Sequence, residues 1–101
     1  MSMPYVKSQD STNVVTNASI LVVPPNNRRR SIAFTNSSTS VIWLSKGTTA
    51  TVGQGIVLNA AGGSYTDDRD ADGAIYTGGY SAIAVTAGSN VLGEQEDFFE
   101  N

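Results

Sequence analysis

The stretch Ser31-Ile-Ala-Phe-Thr-Asn-Ser-Ser-Thr-Ser-Val-Ile-Trp-Leu-Ser45 carries the clearest structural pattern in this chain. Ile32 and Phe34 alternate with small or polar residues, which is the period-2 pattern of a half-buried β-strand. The polar run at residues 36–40 is typical of a turn, and residues 41–45 return as a second strand. Because a polar connection of this length is common in β-hairpins, the stretch predicts a hairpin.

The second strand of this stretch offers two different faces to a core. Either Val41 and Trp43 or Ile42 and Leu44 point inward, because successive side chains of a strand alternate. Tryptophan carries the larger apolar area. We therefore expect Trp43 to be buried, unless it anchors a partner.

The rest of the chain shows the same alternation of short extended segments with Gly, Asn, Ser and Pro. No 3.6-residue period persists long enough for a helix. About seven to eight short strands at a spacing of roughly 8–12 residues predict an all-β fold, a small antiparallel β-sandwich or jelly roll, with a small barrel as the alternative. Besides the two strands above, extended segments are predicted within residues 14–23 and at residues 56–58, 64–66, 74–77, 80–86 and 91–92.

The two ends of the chain differ from this pattern. Residues 1–12 follow no period and are expected to form an N-terminal arm. Residues 94–101 combine carboxylates with two adjacent phenylalanines and are expected to form an acidic aromatic C-terminal tail. The β-sandwich domain is then predicted at residues 13–93.

The composition argues against an enzyme. The 101 residues include no His and no Cys, so the commonest general base, the commonest metal ligand and the thiol nucleophile are all missing. No catalytic residue can be assigned. Without disulfides, a domain this small depends on sheet packing and often on contacts in an oligomer, so we expect a homo-oligomer.

The chain shows no sign of membrane insertion or export. No segment approaches the ~20 apolar residues of a membrane span. The first ten residues also lack the basic start and apolar middle of a signal peptide. These features predict a soluble protein that is made in the cytoplasm.

The net charge of −3 is distributed unevenly, and the charge clusters are the candidate contacts with a partner. A short arginine run in an acidic chain, without interleaved aromatics, argues against direct nucleic-acid binding. Paired phenylalanines either fold back on the domain or insert into another subunit, and the pattern leaves both open. The predicted partner-binding residues are Arg28, Arg29 and Arg30 together with Glu94, Glu96, Asp97, Phe98 and Phe99.

Carboxylates at alternate positions followed by glycine are typical of a calcium-binding loop, so this segment is a candidate calcium site. Asp68, Asp70 and Asp72 precede Gly73, as in the first half of an EF-hand loop. The twelfth position, where a bidentate Glu belongs, is Gly79, and a solvated turn explains the aspartates equally well. Calcium is therefore the one candidate cofactor.

A glycan-binding module is the alternative function from a different class. Tyr65, Tyr76 and Tyr80 near such a calcium loop would supply a stacking surface for a sugar. Tyrosine is also ordinary strand material, which is the simpler explanation of these residues.

Several segments together resemble small virion proteins of tailed bacteriophages. These are the Arg29-Arg-Ser-Ile-Ala-Phe-Thr-Asn36 segment, its continuation to Gly47, and the later segments Gly55-Ile-Val-Leu58, Gly62-Gly-Ser-Tyr65 and Gly73-Ala-Ile-Tyr76. The resemblance spans about residues 28–85 and rests on strand and turn residues. It implies a β-sandwich structural subunit on the virion, as a capsid decoration or cement protein that binds the major capsid protein, or as a head-fibre, tail or baseplate component.

Overall fold

The computed structural model describes the backbone of residues 5–100 and the side chains of residues 6–99. Within these residues every regular element is a β-strand, and no helix is present that is long and apolar enough to cross a membrane. The strands are β1 (Tyr5–Val15), β2 (Ile20–Val23), β3 (Arg29–Asn36), β4 (Ile42–Lys46), β5 (Ile56–Leu58), β6 (Gly63–Asp68), β7 (Tyr80–Ala84) and β8 (Asn90–Glu100).

The strands form two four-stranded sheets. Sheet A has the order β1-β8-β3-β6 and sheet B has the order β2-β7-β4-β5, with every neighbouring pair antiparallel. The first strand thus pairs with the last, the second with the seventh, the third with the sixth and the fourth with the fifth. This nested pairing is the topology of a jelly roll, and it confirms the predicted small antiparallel sandwich.

The predicted hairpin between residues 31–35 and 41–45 does not form, although both strands exist. β3 lies in sheet A and β4 in sheet B, so the connection between them crosses from one layer to the other. The buried side chain of Asn36 holds this crossing by donating to the backbone oxygens of Ser40 at 2.7 Å and Leu58 at 2.9 Å. Strand period and loop length are the same for a hairpin and for a crossover, which explains the error.

The core lies between the two sheets and follows the alternation of the strands. Ile32 and Phe34 of β3 point inward from sheet A, and Ile42 and Leu44 of β4 point inward from sheet B. The expectation that Trp43 fills the core is therefore wrong. β4 buries the opposite face, and Trp43 lies half-buried on the outside of sheet B.

The predicted arm and tail are not separate from the sandwich. β1 and β8 pair in unbroken register from Tyr5 opposite Glu100 to Val15 opposite Asn90. Residues 5–12 and 94–100 are therefore the continuations of two adjacent strands of sheet A. Residues 1–4 and 101 of the predicted arm and tail lie outside the described residues. The predicted extended segment at residues 74–77 is an irregular loop.

One arginine is fully buried at the end of the core. The guanidinium of Arg29 donates from Nε to Glu96 Oε2 at 2.6 Å and from its terminal nitrogens to the backbone oxygens of Tyr76, Gly78 and Pro24 at 2.9–3.1 Å. This one side chain therefore links β3 to β8, to the loop before β7 and to the end of β2. A buried charge of this kind is tolerated because it is both paired and hydrogen-bonded.

We expect Arg29→Met to lower the free energy of unfolding by about 3–5 kcal/mol, because it leaves the Glu96 carboxylate without its cation. Urea denaturation measures the loss. Arg28→Met is the matched control, because Arg28 directly precedes Arg29 and its side chain is exposed. We expect this variant to change the free energy of unfolding by no more than about 0.5 kcal/mol. Equal stabilities of the two variants would show that the buried pair does not hold the fold.

Candidate docking surface

The outer face of sheet B carries a row of apolar side chains around Trp43. Val57 of β5 and Ile83 of β7 are the direct cross-strand neighbours of Trp43 on either side. Cross-strand neighbours on one face have Cβ atoms about 4.5–5.5 Å apart, so the three side chains form one continuous strip. Together with neighbouring positions they make up what we call the Trp43 face, which consists of Leu21, Val41, Trp43, Val57, Ile83 and Val85.

The Trp43 face is partly exposed and uncharged. Leu21, Val57 and Val85 keep 51%, 44% and 45% of their surface accessible. The remaining outward positions of these strands are the uncharged Ser45 and Ser81. Ser81 has no accessible surface, because the loop after β4 covers it and its hydroxyl donates to the Gly47 oxygen at 2.8 Å. Interface cores are depleted of charge and enriched in aromatic residues, and the Trp43 face shares this composition.

The outer face of sheet A is chemically different. Its centre is a network of short polar side chains, in which Asp97 accepts hydrogen bonds from Ser8 and from Ser31, the latter at 3.2 Å. Beside it Gln95 donates to Asp10 at 2.9 Å. The outer face of sheet A carries the apolar pairs Val14–Val91 and Val6–Phe99 towards its two ends, but its centre is polar and contains carboxylates. The outer face of sheet B differs from it in having an apolar centre.

The three predicted partner-binding arginines have different environments. Arg28 and Arg30 are exposed, as a contact with another molecule requires. Arg29 was expected to contact a partner, but its side chain has no accessible surface and its hydrogen bonds are made within the chain. The carboxylate that it was expected to reach on a neighbour is Glu96 of its own chain.

The predicted tail residues lie in β8, an inner strand of sheet A. Glu96 is taken up by the buried ion pair, and Asp97 belongs to the polar network of the outer face. Phe98 and Phe99 are half-buried, and the guanidinium of Arg69 stands 4.7 Å above the ring of Phe99. Phe99 therefore packs on its own domain, and a role of the tail residues in binding a partner stays a prediction.

Glu94 lies in a groove of about 240 Å³ between β1 and β2. Its Oε1 accepts hydrogen bonds from Ser11 Oγ at 2.6 Å and Asn13 Nδ2 at 2.8 Å, while Oε2 is buried without a hydrogen-bond partner. Burial raises the pKa of the Glu94 carboxyl, the two hydrogen bonds lower it, and the nearby Glu96 carboxylate raises it further. The folded protein therefore binds a proton at Glu94 more tightly than the unfolded chain does.

The raised pKa of Glu94 determines how the stability of the protein changes with pH. Between the unfolded and the folded pKa of Glu94 the native state holds more protons, so stability falls as the pH rises through this window. We expect Glu94→Gln to be more stable than the parent at pH 7 and to lose this part of the pH dependence. Thermal unfolding between pH 4 and pH 8 measures both. Parallel pH profiles for the two proteins would contradict the assignment.

The aspartate-rich segment forms a local turn. Asp70 Oδ1 accepts hydrogen bonds from the backbone nitrogens of Asp72 and Ala74, both at 2.9 Å, while Asp68 ends β6 and is exposed. Within the described part of the chain no three His, Cys, Asp or Glu residues come together in a group that could hold a metal ion. Asp70 thus has a structural role in this turn, and calcium binding by these aspartates stays a prediction.

The tyrosines do not form one exposed platform. Tyr80 is fully buried, with its ring 4.9 Å from that of Phe34 and 5.3 Å from that of Tyr76, in edge-to-face geometry. Tyr65 and Tyr76 are half-buried against the same core. For Tyr80 the interpretation as ordinary strand material is confirmed, because a ring without accessible surface cannot stack on a sugar.

The sequence interpretation did not identify most of the Trp43 face. A usable signal was present, since Val57 lies between Ile56 and Leu58, and Ile83 lies between Ala82 and Ala84. Once one face of each strand is known to be buried, alternation places these side chains on the other face. What the pattern does not reveal is which of the two faces the core takes.

No family model and no curated protein matches this chain. Among solved structures, its fold is similar to that of a chain from the disulfide-linked pili of Bacillus endospore appendages, with a TM-score of 0.55 and 12% sequence identity. The similarity covers 99% of this chain and 93% of the pilus chain. At this identity the likeness shows a shared fold. The present 101 residues contain no cysteine, so they cannot supply the thiols of a disulfide link.

Proposed function

We propose that this protein is a non-enzymatic structural subunit that works in an assembly of many copies. The observation that carries the proposal is the Trp43 face, a partly exposed and uncharged apolar surface centred on the one tryptophan of the chain. Tryptophan is the residue type most enriched at the energetic centres of protein interfaces. The occupant that we propose for this face is the matching face of a second copy, since two identical uncharged surfaces meet without like-charge repulsion.

The size of the face argues for many weak contacts rather than one stable dimer. Four strands at a spacing of ~4.8 Å and about five residues at ~3.3 Å give a flat area of roughly 300 Å². A standard interface buries about 800 Å² on each partner. A contact of this size gains strength when it is repeated along an assembly, because each further contact is then intramolecular.

The likeness to a pilus subunit over nearly the whole chain supports the same class of function. In the pili the subunits are joined by disulfides, as their name states. Copies of these 101 residues would have to hold together without disulfides. The proposed location is outside the cell that makes the protein, on the surface of a cell or of a particle.

Capsid decoration is the second candidate, and the resemblance of residues 28–85 to phage virion proteins favours it. In that setting the exposed Arg28 and Arg30 and the Trp43 face would contact the major capsid protein, and the subunit would stabilise the phage head. A tail, baseplate or fibre component is the variant of this role in which contacts between copies dominate.

Substitutions on the two outer faces test the proposal. We expect Trp43→Thr to weaken assembly by roughly 30-fold or more, the effect of losing an interface residue worth about 2 kcal/mol. Val57→Thr on the same face should weaken assembly by a smaller factor. Sedimentation velocity and light scattering over a concentration series measure assembly, and thermal unfolding confirms that each variant is folded.

Val91→Thr is the matched control, because Val91 keeps a similar 40% of its surface accessible but lies on the outer face of sheet A. We expect this variant to assemble like the parent. If Val91→Thr and Val57→Thr weaken assembly equally, the effect is one of general hydrophobicity, and the Trp43 face is not the contact. Mixing the protein with phage heads that lack it distinguishes decoration from self-assembly. Binding to the heads indicates decoration, and assembly without heads indicates self-assembly.

A further inference from the structure

β1 presents an unusually long free edge. Among the described strands it pairs with β8 alone, over eleven residues and without a register shift. It contains neither proline nor glycine, and the side chains of residues 6–12 are exposed on both faces of the strand. Natural sandwiches usually shorten, bend or cover such an edge, because its free N–H and C=O groups pair readily with another strand.

The opposite edge of sheet A runs in the complementary direction. This edge is β6, which pairs with β3 in an unbroken register from Gly63 to Asp68. Sheet A has four strands and all its pairs are antiparallel, so β1 and β6 point in opposite directions. A second copy that lies beside the first in the same orientation therefore places its β1 antiparallel to β6 of the first.

The two edges also lie at the same level of the sheet. One row of outward-facing residues runs from Ser64 through Thr35 and Gly93 to Thr12, and the adjacent level ends at Tyr65 and Ser11. Without any axial shift, Thr12 of one copy would stand opposite Ser64 of the next. Short hydroxyl side chains on both strands fit this pairing, since Ser and Thr form favourable cross-strand pairs.

The edge strands of sheet B lie next to the edge strands of sheet A. β2 lies beside β1, where Asn13 Nδ2 donates to the Val22 oxygen at 3.1 Å, and β5 lies beside β6, where Ile56 and Tyr65 line a common groove. Sheet B also has four antiparallel strands, with β2 and β5 at its edges. The same sideways step that brings β1 to β6 thus brings β2 to β5.

We propose that copies of this protein stack side by side, with the β1 edge of one copy adding to the β6 edge of the next, so that the sandwich continues from subunit to subunit. This inference rests on the proposed function, namely that copies assemble. The contact uses two different edges, so it is heterologous and open, and it produces a fibre rather than a closed dimer. Each added copy also extends the Trp43 face into a continuous apolar stripe, which makes up for the small area of a single face.

The absence of cysteine from the chain permits a direct test. In the double variant Thr12→Cys/Ser64→Cys the two thiols of one molecule are three strand spacings apart, roughly 14 Å, so they cannot form a disulfide with each other. Under mild oxidation the stacked protein should give a ladder of dimers, trimers and higher multimers on a non-reducing gel. Thr12→Cys/Thr66→Cys tests the register that is shifted by two residues.

The matched control is Thr12→Cys/Thr35→Cys, because Thr35 is exposed on the same row and face but belongs to the inner strand β3. We expect no ladder from it. Dimers from Thr12→Cys alone would indicate a two-fold contact between β1 strands and would overturn the stacking.

Light scattering on the reduced proteins separates the two proposals. Assembly without a ladder from either double variant overturns the stacking and leaves the proposed function standing. A protein that remains monomeric at every concentration contradicts the proposed function itself.

Discussion

A strand of a two-layered sandwich can turn only one of its faces to the core. In β4 this constraint places Trp43 on the outer face of sheet B. Ile42 and Leu44 are fully buried, so Trp43 must point outward. Ile42 and Leu44 belong to the same buried cluster as Phe34 and Tyr80, whose rings lie 4.9 Å apart. The protein thus keeps its largest apolar side chain on the outside, where it can stabilise a contact with another molecule.

The buried Arg29–Glu96 pair secures the arrangement that makes this possible. It joins β3 to β8 within sheet A and reaches the loop before β7 through the oxygens of Tyr76 and Gly78. A slip of β3 against β8 by one residue would turn Glu96 away from Arg29 and leave two unpaired charges. The pair therefore selects the register of sheet A, and through the loop it positions the strand that carries Ile83.

Much of the fold follows from local pattern, but the pairing of the strands does not. Alternation along residues 31–35 and 41–45 predicted two real strands. The Gly, Asn and Pro residues that separate the short extended segments predicted a small sandwich or jelly roll. The same pattern predicted a hairpin where the chain crosses between layers. An alternating strand has the same sequence pattern whether the next strand is hydrogen-bonded to it or lies in the other sheet across the core. Residues 5–12 and 94–100 had no apolar period, since their strands extend to where the inner face is open and polar. Arg29 was predicted to contact a partner molecule, because its true partner Glu96 lies 67 positions away in the sequence and local pattern does not reveal it.

If copies meet through the Trp43 face, Trp43 becomes buried, and the single tryptophan of the chain makes this burial directly measurable. The measurement is the emission of Trp43 and its quenching by acrylamide, followed together with light scattering as the concentration rises. We expect a shift of the emission to shorter wavelength and a loss of quenching, both in step with the scattering. Assembly that leaves the emission and the quenching of Trp43 unchanged would contradict it.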